Sequence, residues 1–274
     1  MGENPSSLAE GGWLDHSMIV QIYEIQTVSE AEKIMDLGVD HAGSVVLSPE
    51  SWKNQALKET VQFIQAAGLQ SSLIPLFQDM DVIRQTLDFY QPDIIHFCDA
   101  LPVIDDLPGA CEIFIDRQRT IREAYPDIRI MRSIPIRRSE KADATGVMRL
   151  AKLFEPVSDF FLTDTLLGGG SESDATEPVE GFIGITGTIC DWHAASALVA
   201  RSAIPVILAG GVGPDNVREA IQSVSPAGVD SCTQTNEVDI HGNPVRFKKD
   251  REKVRRLVVE ARRAAKDEGQ GPRG

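Results

Sequence analysis

The stretch PVILAGGVGPDNVREAI, residues 205–221, decides the fold that we expect. It begins with a short apolar run, continues through Gly210 and Gly211, and then places Pro214 ahead of a segment with helical spacing. Buried parallel strands are short and apolar, and proline is favoured in the first turn of a helix. The stretch therefore predicts a strand, a glycine loop and a helix in that order, with Pro214 in the first helical turn.

The same order of elements recurs along the chain. Seven further apolar runs alternate with helical segments, and Thr27 or Ser29, Asp79 and Asp191 are suitable N-caps for three of those helices. Eight such units in 274 residues predict an α/β fold, namely a closed (β/α)8 or TIM barrel in a single domain. The further runs are MIVQIYE (18–24), HAGSVVL (41–47), SSLIPLF (71–77), DIIHFCD (93–99), IRIMRSIPI (128–136), DFFLTDT (159–165) and AGVDSCT (227–233).

The domain organisation follows from these units. We expect the barrel to span residues 18–266, between a flexible N-terminal tail at 1–17 and a C-terminal tail at 267–274. The Gly-rich acidic stretch GGGSESDATEPVEG, residues 168–181, follows the sixth strand and is either a mobile lid or a disordered insertion. An open doubly wound sheet is the alternative architecture, although no GxGxxG motif follows the first strand.

Composition and charge disfavour several classes of protein. Lys and Arg total 27 against 41 Asp and Glu, so the formal net charge is −14. This charge argues against nucleic acid or an anionic membrane as the main partner, while a small phosphorylated ligand remains compatible with a few local donors. The sequence has neither a membrane-spanning apolar run nor a recognisable signal peptide. Because the four cysteines are widely spaced, we expect a reduced cytoplasmic protein without structural zinc.

Asp164 is the sharpest candidate for chemistry. In a TIM barrel the active site lies at the carboxyl ends of the strands, and period-2 alternation places Phe160, Leu162 and Asp164 on one face of the sixth strand. An acid at an apolar strand end suits a general acid with a raised pKa. The alternative is a carboxylate bound to the backbone N–H groups of the following loop.

A phosphate site is predicted beside it. In LAGGVGPDN, residues 208–216, two glycines end the seventh strand, and glycines allow an anion to reach backbone amides. The loops after strands seven and eight commonly form the phosphate site of such barrels. Gly210 and Gly211 are therefore candidate phosphate-binding residues, or they mark only a tight turn.

Other rim residues carry weaker signals. Cys98 is either a thiol base or a buried structural cysteine, and Tyr23 is a poor base that more often forms hydrogen bonds or packs. Alternation places Glu24 on the face opposite to Tyr23. His96 is expected to be a core histidine with its hydrogen bonds satisfied.

Two basic residues could contact an anionic substrate. These are Lys53, which is equally well explained as a solvated surface charge, and Arg132 in the fifth apolar run. The remaining histidines show no metal-ligand spacing, so we expect neither a metal nor a cofactor.

The order of these motifs resembles the phosphoribosylanthranilate isomerase family of tryptophan biosynthesis. The seventh unit, residues 205–221, is similar to the family pattern PVILAGGLxPxNVxxAI and is the most specific part of the resemblance. The other segments that carry it are VQIYEIQ (20–26; family VKICGIT), LSPESWK (47–53; FxPxSxR), LTDT (162–165; the acid motif of strand six), GITGTICDW (184–192; GGTGxxFDW) and AGVDSCT (227–233; GVDVSSG).

The resemblance implies an isomerase that converts a phosphorylated N-linked aminoaldose to an aminoketose. Asp164 falls on the family's general acid, which protonates the furanose ring oxygen while a base removes the proton from C2. The implied phosphate-binding residues are Gly187, Gly210, Gly211, Cys232 and Thr233. The implied partner is a small phosphorylated metabolite, and the chain is expected to be a monomer or a homodimer.

Several positions depart from the family pattern. Tyr23 stands where the family has its catalytic cysteine, and Glu24 replaces the next glycine. Lys53 replaces an arginine, which removes a planar bidentate donor. If Cys98 or Glu24 replaces the lost base, the chain remains an enzyme of the aldose–ketose isomerase class. The alternatives are a non-catalytic relative that binds a phospho-ligand or regulates, and a barrel with a polar ligand that lacks phosphate.

Overall fold

The computed structural model describes residues 18–101, 107–138, 144–167, 180–184 and 186–269. Within these ranges eight parallel strands form a closed barrel in chain order. The predicted TIM barrel is confirmed, and the open-sheet alternative is excluded because the first strand pairs with the eighth, Ile19 opposite Gly228. The strands are β1 (Ile19–Ile22), β2 (His41–Val46), β3 (Gln70–Pro75), β4 (Ile94–Phe97), β5 (Arg129–Arg137), β6 (Phe160–Leu166), β7 (Val206–Leu208) and β8 (Gly228–Ser231).

Helices surround the barrel, and side-chain caps fix where several of them begin. Thr27, Asp79 and Asp191 each accept hydrogen bonds from backbone N–H groups in the first helical turn, as the sequence predicted. The helices are α1 (Val28–Glu32), α2 (Gln55–Ala66), α3 (Met80–Tyr90), α4 (Leu107–Ala124), α5 (Ala144–Phe154), α6 (Trp192–Val199), α7 (Val217–Val224) and α8 (Arg251–Gly269). None of the helices in the described ranges is both long enough and apolar enough to cross a membrane.

The position predicted for Pro214 is wrong. Helix α7 begins at Val217 after the N-cap Asn216, so Pro214 lies in the preceding turn. The Asn216 side chain holds this turn, because its Oδ1 accepts from Gly213 N at 2.8 Å and its Nδ2 donates to Gly211 O at 3.0 Å. The loop after β7 is therefore longer than the sequence indicated.

The apolar core has two layers. Inside the barrel, buried residues such as Ile94, Met131 and Leu162 pack together, and a larger cluster fills the space between the strands and the helices. Polar residues interrupt the inner layer, because Gln21 donates to Asp230 Oδ1 at 3.1 Å and contacts His41 Nδ1 at 3.0 Å. Buried polar side chains are tolerated here because they satisfy one another.

An antiparallel hairpin between β8 and α8 was not predicted. It consists of β9 (Asn236–Val238) and β10 (Pro244–Lys249), and most of its side chains are exposed. Its base is fixed by Lys249, a buried lysine whose Nζ donates to Cys232 O at 2.8 Å and to Asn236 Oδ1 at 2.5 Å.

Parts of the predicted domain organisation lie outside the described residues. These are the tail at 1–17, residues 168–179 of the predicted insertion, and residues 270–274. Helix α8 runs through Gly269, so residues 267–269 are helical rather than part of a tail. At the end of the insertion, Gly181 O accepts from Ala100 N at 2.9 Å.

Candidate functional site

A cavity of about 800 Å³, which includes space open to solvent, lies at the carboxyl ends of the barrel strands. It brings together the predicted rim residues except Lys53 and Arg132. Those residues are Tyr23, Glu24, Cys98, Asp164, Gly187, Gly210, Gly211, Cys232 and Thr233. His96 and Asp230 line it as well. A pocket at this end of a TIM barrel is the expected place for a ligand.

Asp164 is half-buried in the wall of this cavity. Its Oδ1 accepts a hydrogen bond from Thr165 N at 3.0 Å. Gly184, with φ of +111°, passes so close that a Cβ at this position would lie 2.6 Å from Asp164 Oδ2. Only glycine suits both this backbone conformation and this close approach. The loop at Gly184 therefore shapes the surroundings of the carboxyl group.

That loop is fastened to the end of β4. Ile183 N donates to Cys98 O at 2.9 Å, and Phe182 forms a bridge with Asp99. Phe182 and Ile183 are buried and line the cavity. The chain that returns from the predicted insertion thus forms an ordered apolar wall beside Asp164.

Three loops meet in the cavity wall, and those after β6 and β7 contribute glycines. Gly187, Gly210 and Gly211 all have positive φ, and a Cβ at Gly211 would lie 2.7 Å from Ile189 N. Gln234 Nε2 donates to Gly187 O at 3.2 Å and so links the loops after β6 and β8. The absence of side chains leaves room for an anion to approach the backbone amides.

Tyr23 is a hydrogen-bonding group and not a base. Its hydroxyl lies 2.6 Å from Ser72 Oγ and 2.7 Å from His96 Nδ1, and burial raises the pKa of Tyr23 well above its usual value. The ring lies against β2, where a Cβ on Gly43 would come within 2.1 Å of it. Tyr23 therefore remains protonated and packs into the space that Gly43 leaves.

His96 is the satisfied core histidine that the sequence indicated. Its Nε2 lies 2.8 Å from Ser133 Oγ, so both ring nitrogens have partners. Burial, together with the nearby positive charge of Arg132, lowers the pKa of His96 to about 3. The imidazole is neutral near pH 7 and holds Tyr23 in place.

The two cysteines in the cavity are thiols rather than thiolates. Burial raises the pKa of Cys98 above its usual value, and the charges of Asp99 and Asp164 add to the effect. Burial raises the pKa of Cys232 too, with a contribution from the Glu24 charge. The thiolate is the reactive form of cysteine, so this environment disfavours Cys98 as a base.

Glu24 is among the residues that line the cavity, although strand alternation placed it on the face opposite to Tyr23. Strand β1 ends at Ile22, and Glu24 has φ of +66°, so the regular alternation does not extend to it. The side chain is buried and lines the cavity. Its Oε1 accepts from Arg246 Nε of β10 at 2.7 Å.

Arg132 and Lys53 do not reach the cavity. Arg132 lies in the middle of β5, which continues to Arg137, and its guanidinium donates to Asp99 Oδ2 and Asp99 O, both at 2.9 Å. It is fully buried and lies over the ring of Phe154. Lys53 is exposed, with Nζ 5.4 Å from the centroid of the Phe89 ring.

Asp230 is a cavity residue that the sequence reasoning missed. It is buried, and this burial raises the pKa of Asp230 to about 7. The signal was present, because Asp230 stands two residues before Cys232 and alternation places both on the inner face of β8.

Asp230→Asn is expected to be more stable than the wild type, and the difference is expected to be larger at pH 8 than at pH 5. The folded-state pKa of about 7 lies above the usual value, so the contribution of Asp230 to stability is present at low pH and is lost as the pH rises through 7. The variant lacks this penalty, which has an upper bound of about 4 kcal/mol. Thermal unfolding of both proteins between pH 5 and pH 8 measures the difference in Tm. A difference that does not grow with pH contradicts the assignment.

No group of three His, Cys, Asp or Glu residues is placed to bind a metal ion in the part of the chain that the structure describes. The four cysteines are all free. The cavity itself offers carboxylates, a hydroxyl and glycine backbone. These groups suit proton transfer on an anionic ligand.

Comparisons with known proteins find similarity to one family of enzymes. The family model described as N-(5'-phosphoribosyl)anthranilate (PRA) isomerase matches residues 128–259, which include Asp164 and the glycine loops. Isomerase 2 of Methanosarcina mazei is 32% identical over 153 residues, and the Methanosarcina acetivorans isomerase is 24% identical over 249. These alignments cover 53% and 89% of this chain. The chain is thus similar to phosphoribosylanthranilate isomerases along most of its length, and its second half matches their family model.

The chain spans 61% of the M. mazei isomerase and 92% of the M. acetivorans isomerase. Solved phosphoribosylanthranilate isomerases share the fold at lower identity. The Pyrococcus furiosus enzyme is 20% identical with a TM-score of 0.60, and covers 90% of this chain and 99% of its own. Another phosphoribosylanthranilate isomerase, 18% identical with a TM-score of 0.60 over 89% of this chain and 98% of its own, was solved with reduced 1-(o-carboxyphenylamino)-1-deoxyribulose 5-phosphate.

Proposed function

We propose that this protein is a phosphoribosylanthranilate isomerase that converts N-(5'-phosphoribosyl)anthranilate to the corresponding aminoketose in tryptophan biosynthesis. One observation carries the proposal: Asp164 lines the same cavity as Gly187, Gly210 and Gly211. A proton donor and an anion-binding backbone therefore face one ligand. Similarity to phosphoribosylanthranilate isomerases supplies the substrate class.

Asp164 is assigned the role of general acid. It protonates the ring oxygen of the furanose, and the lone pair on the substrate nitrogen forms an iminium as the ring opens. A positioned acid contributes about 10²-fold to 10⁴-fold to such a step. The half-buried carboxyl lies in the cavity wall, where a ligand can reach it.

The phosphate group is assigned to the loops after β6, β7 and β8, of which the first two carry the glycines. Gly187, Gly210 and Gly211 leave the backbone open to an anion, and Cys232 and Thr233 complete this side of the cavity. The short 3₁₀ turn Thr233–Thr235 begins directly after Cys232. Backbone N–H groups are suitable phosphate donors even in a protein with a net charge of −14.

Gly211→Ala is expected to raise KM for the phosphorylated substrate by about tenfold to a hundredfold, with a smaller effect on kcat. The new Cβ would lie 2.7 Å from Ile189 N, and Gly211 has φ of +63°, so the loop must move. Steady-state kinetics measure the change. Gly68→Ala is the matched control, because Gly68 has φ of +83° and no atom within 4 Å of the new Cβ. Equal KM values for the two variants would show that the phosphate group does not bind at these loops.

The direct test of the function is conversion of N-(5'-phosphoribosyl)anthranilate by the purified full-length chain. We expect multiple turnovers, followed as loss of the substrate and formation of the aminoketose. Growth of a tryptophan-requiring strain that lacks this isomerase is the second readout. Substrate binding without conversion would instead identify a non-catalytic phospho-ligand-binding relative.

The setting of the reaction is also part of the proposal. Free cysteines and a biosynthetic family support a cytoplasmic location. The partner is a small phosphorylated metabolite, and the negative net charge supports the absence of a nucleic-acid partner. The chain acts as a monomer or as a homodimer; one solved Thermotoga maritima relative is described as dimeric.

A further inference from the structure

The proposed isomerisation needs a group that removes the proton from C2 of the substrate. Tyr23 occupies the place of the family's cysteine, but burial raises the pKa of Tyr23 and its hydroxyl is bound to Ser72 and His96. Burial also keeps Cys98 protonated. Neither residue is suited to accept a proton near neutral pH, so the base must be another cavity residue.

Glu24 has the geometry of a positioned proton acceptor. Its side chain is 1% exposed, and Oε1 accepts a hydrogen bond from Arg246 Nε at 2.7 Å, with Arg246 Nη2 at an ion-pair distance of 2.5 Å. The other oxygen, Oε2, is buried and accepts no hydrogen bond from a nitrogen or oxygen among the described residues; the Cys232 thiol, also of the cavity wall, lies beside this carboxylate. A buried carboxylate oxygen without such a donor is costly, and such cost is often found at functional sites.

The backbone conformation at Glu24 is a second indication that this side chain has a functional role. Its φ of +66° lies in the left-handed region that favours glycine. A glycine would adopt this conformation without strain, whereas a glutamate adopts it at a cost. The carboxylate is therefore present despite the local backbone and not because of it.

The hairpin brings Arg246 to this carboxylate. Its base is held by Lys249, whose N donates to Glu30 Oε2 at 2.7 Å and whose Nζ donates to Cys232 O at the end of β8. Arg246 lies three residues earlier on β10, over the ring of Phe247 at 4.6 Å. Arg246 thus reaches Glu24 from a firmly attached element.

We propose that Glu24 is the general base of the isomerisation and that Arg246 is its positioning residue. The inference rests on the proposed function. In the ring-opened iminium, the C2–H bond breaks and its proton moves to Glu24 Oε2. The electron pair of that bond forms the C1–C2 double bond, and the C–N π pair neutralises the nitrogen. The proton then returns at C1, while the C2 hydroxyl becomes the ketone and its proton restores Asp164.

The experiment compares Glu24→Gln, Glu24→Asp and Glu24→Gly with the wild type. Glu24→Gln is expected to lower kcat by about 10²-fold to 10⁴-fold. Glu24→Asp is expected to retain part of the activity, with a primary isotope effect on C2-deuterated substrate at least as large as in the wild type. Glu24→Gly suits the backbone and keeps the test valid if the glutamine variant misfolds. Affinity for reduced 1-(o-carboxyphenylamino)-1-deoxyribulose 5-phosphate reports an intact pocket in each.

Arg246 is tested by the split between kcat and KM. Arg246→Met is expected to lower kcat about tenfold or more with little change in KM, and Arg246→Lys to restore part of kcat. The Arg263–Glu260 pair on α8 provides matched controls, since Arg263 Nη1 lies 2.9 Å from Glu260 Oε1 at the surface. Arg263→Met and Glu260→Gln are expected to behave as the wild type.

The outcomes separate the two proposals. An active wild type with inactive, ligand-binding Glu24→Gln and Glu24→Gly variants supports the base. An active wild type with fully active Glu24 variants overturns the base and leaves the isomerase assignment standing, with Glu24 as an anchor of the hairpin. A wild type that fails to convert the substrate overturns both.

Discussion

Asp164→Asn is expected to lower kcat for phosphoribosylanthranilate by about 10²-fold to 10⁴-fold, because the amide cannot donate the proton that opens the furanose ring. The amide has nearly the same shape as the carboxyl, and its Oδ1 can still accept from Thr165 N. The neighbouring Gly184 leaves no room for a larger group, so asparagine is the least disruptive replacement. The loss is therefore expected in turnover and not in folding.

Single-turnover and steady-state rates measure this effect. Binding of reduced 1-(o-carboxyphenylamino)-1-deoxyribulose 5-phosphate shows whether the pocket of the variant is intact. Asp81→Asn is a suitable control, because Asp81 is 86% exposed on α3 and pairs with Arg84 at 3.5 Å. If the Asp164→Asn variant kept the wild-type kcat, Asp164 would not be the general acid.

Asp99→Ala is expected to destabilise the fold by about 3–5 kcal/mol, since it leaves two buried guanidinium groups without their shared carboxylate. Asp99 binds Arg117 at 2.8 Å and Arg132 at 2.9 Å, and the three side chains are almost fully buried. For a chain of this size such a loss corresponds to a fall in Tm of about 6–20 °C. Differential scanning calorimetry of the variant measures it.

The control for this prediction is a surface pair of the same chemistry. Asp116 pairs with Arg119 three residues later on α4, and both side chains are more than half exposed. Asp116→Ala is expected to change the stability by less than about 1 kcal/mol. Similar Tm values for the Asp99 and Asp116 variants would show that burial of the triad contributes nothing to stability.

The barrel was predictable because its strands are apolar and its helices are capped. Runs such as 205–212 and 159–165 are buried on both faces, which leaves a continuous apolar signal in the sequence. Thr27, Asp79 and Asp191 marked where helices begin. Since parallel strands end at one rim, the fold alone brought Asp164 near the glycine loops.

The errors have physical causes in particular residues. Arg132 was expected near the rim because the end of the fifth strand was set too early. The strand continues five residues beyond it, to Arg137, and the Arg132 side chain faces the helices. Glu24 was oriented by an alternation that its left-handed backbone does not follow. The hairpin was missed because charged side chains such as Lys249 and Arg246 attach it to the barrel. It has no apolar face, so the sequence shows no alternating hydrophobic pattern there.

The contact between Tyr23 and Gly43 limits the routes by which this barrel can change its chemistry. A cysteine at position 23 would be much smaller than the phenol ring that now fills the space above Gly43, and it would deprive Ser72 and His96 of their common partner. A void and two unsatisfied polar groups would follow from that single replacement. A change to an isomerase with a thiol base therefore needs coordinated substitutions on at least two strands, because the single replacement at position 23 lowers stability before the thiol can act as a base.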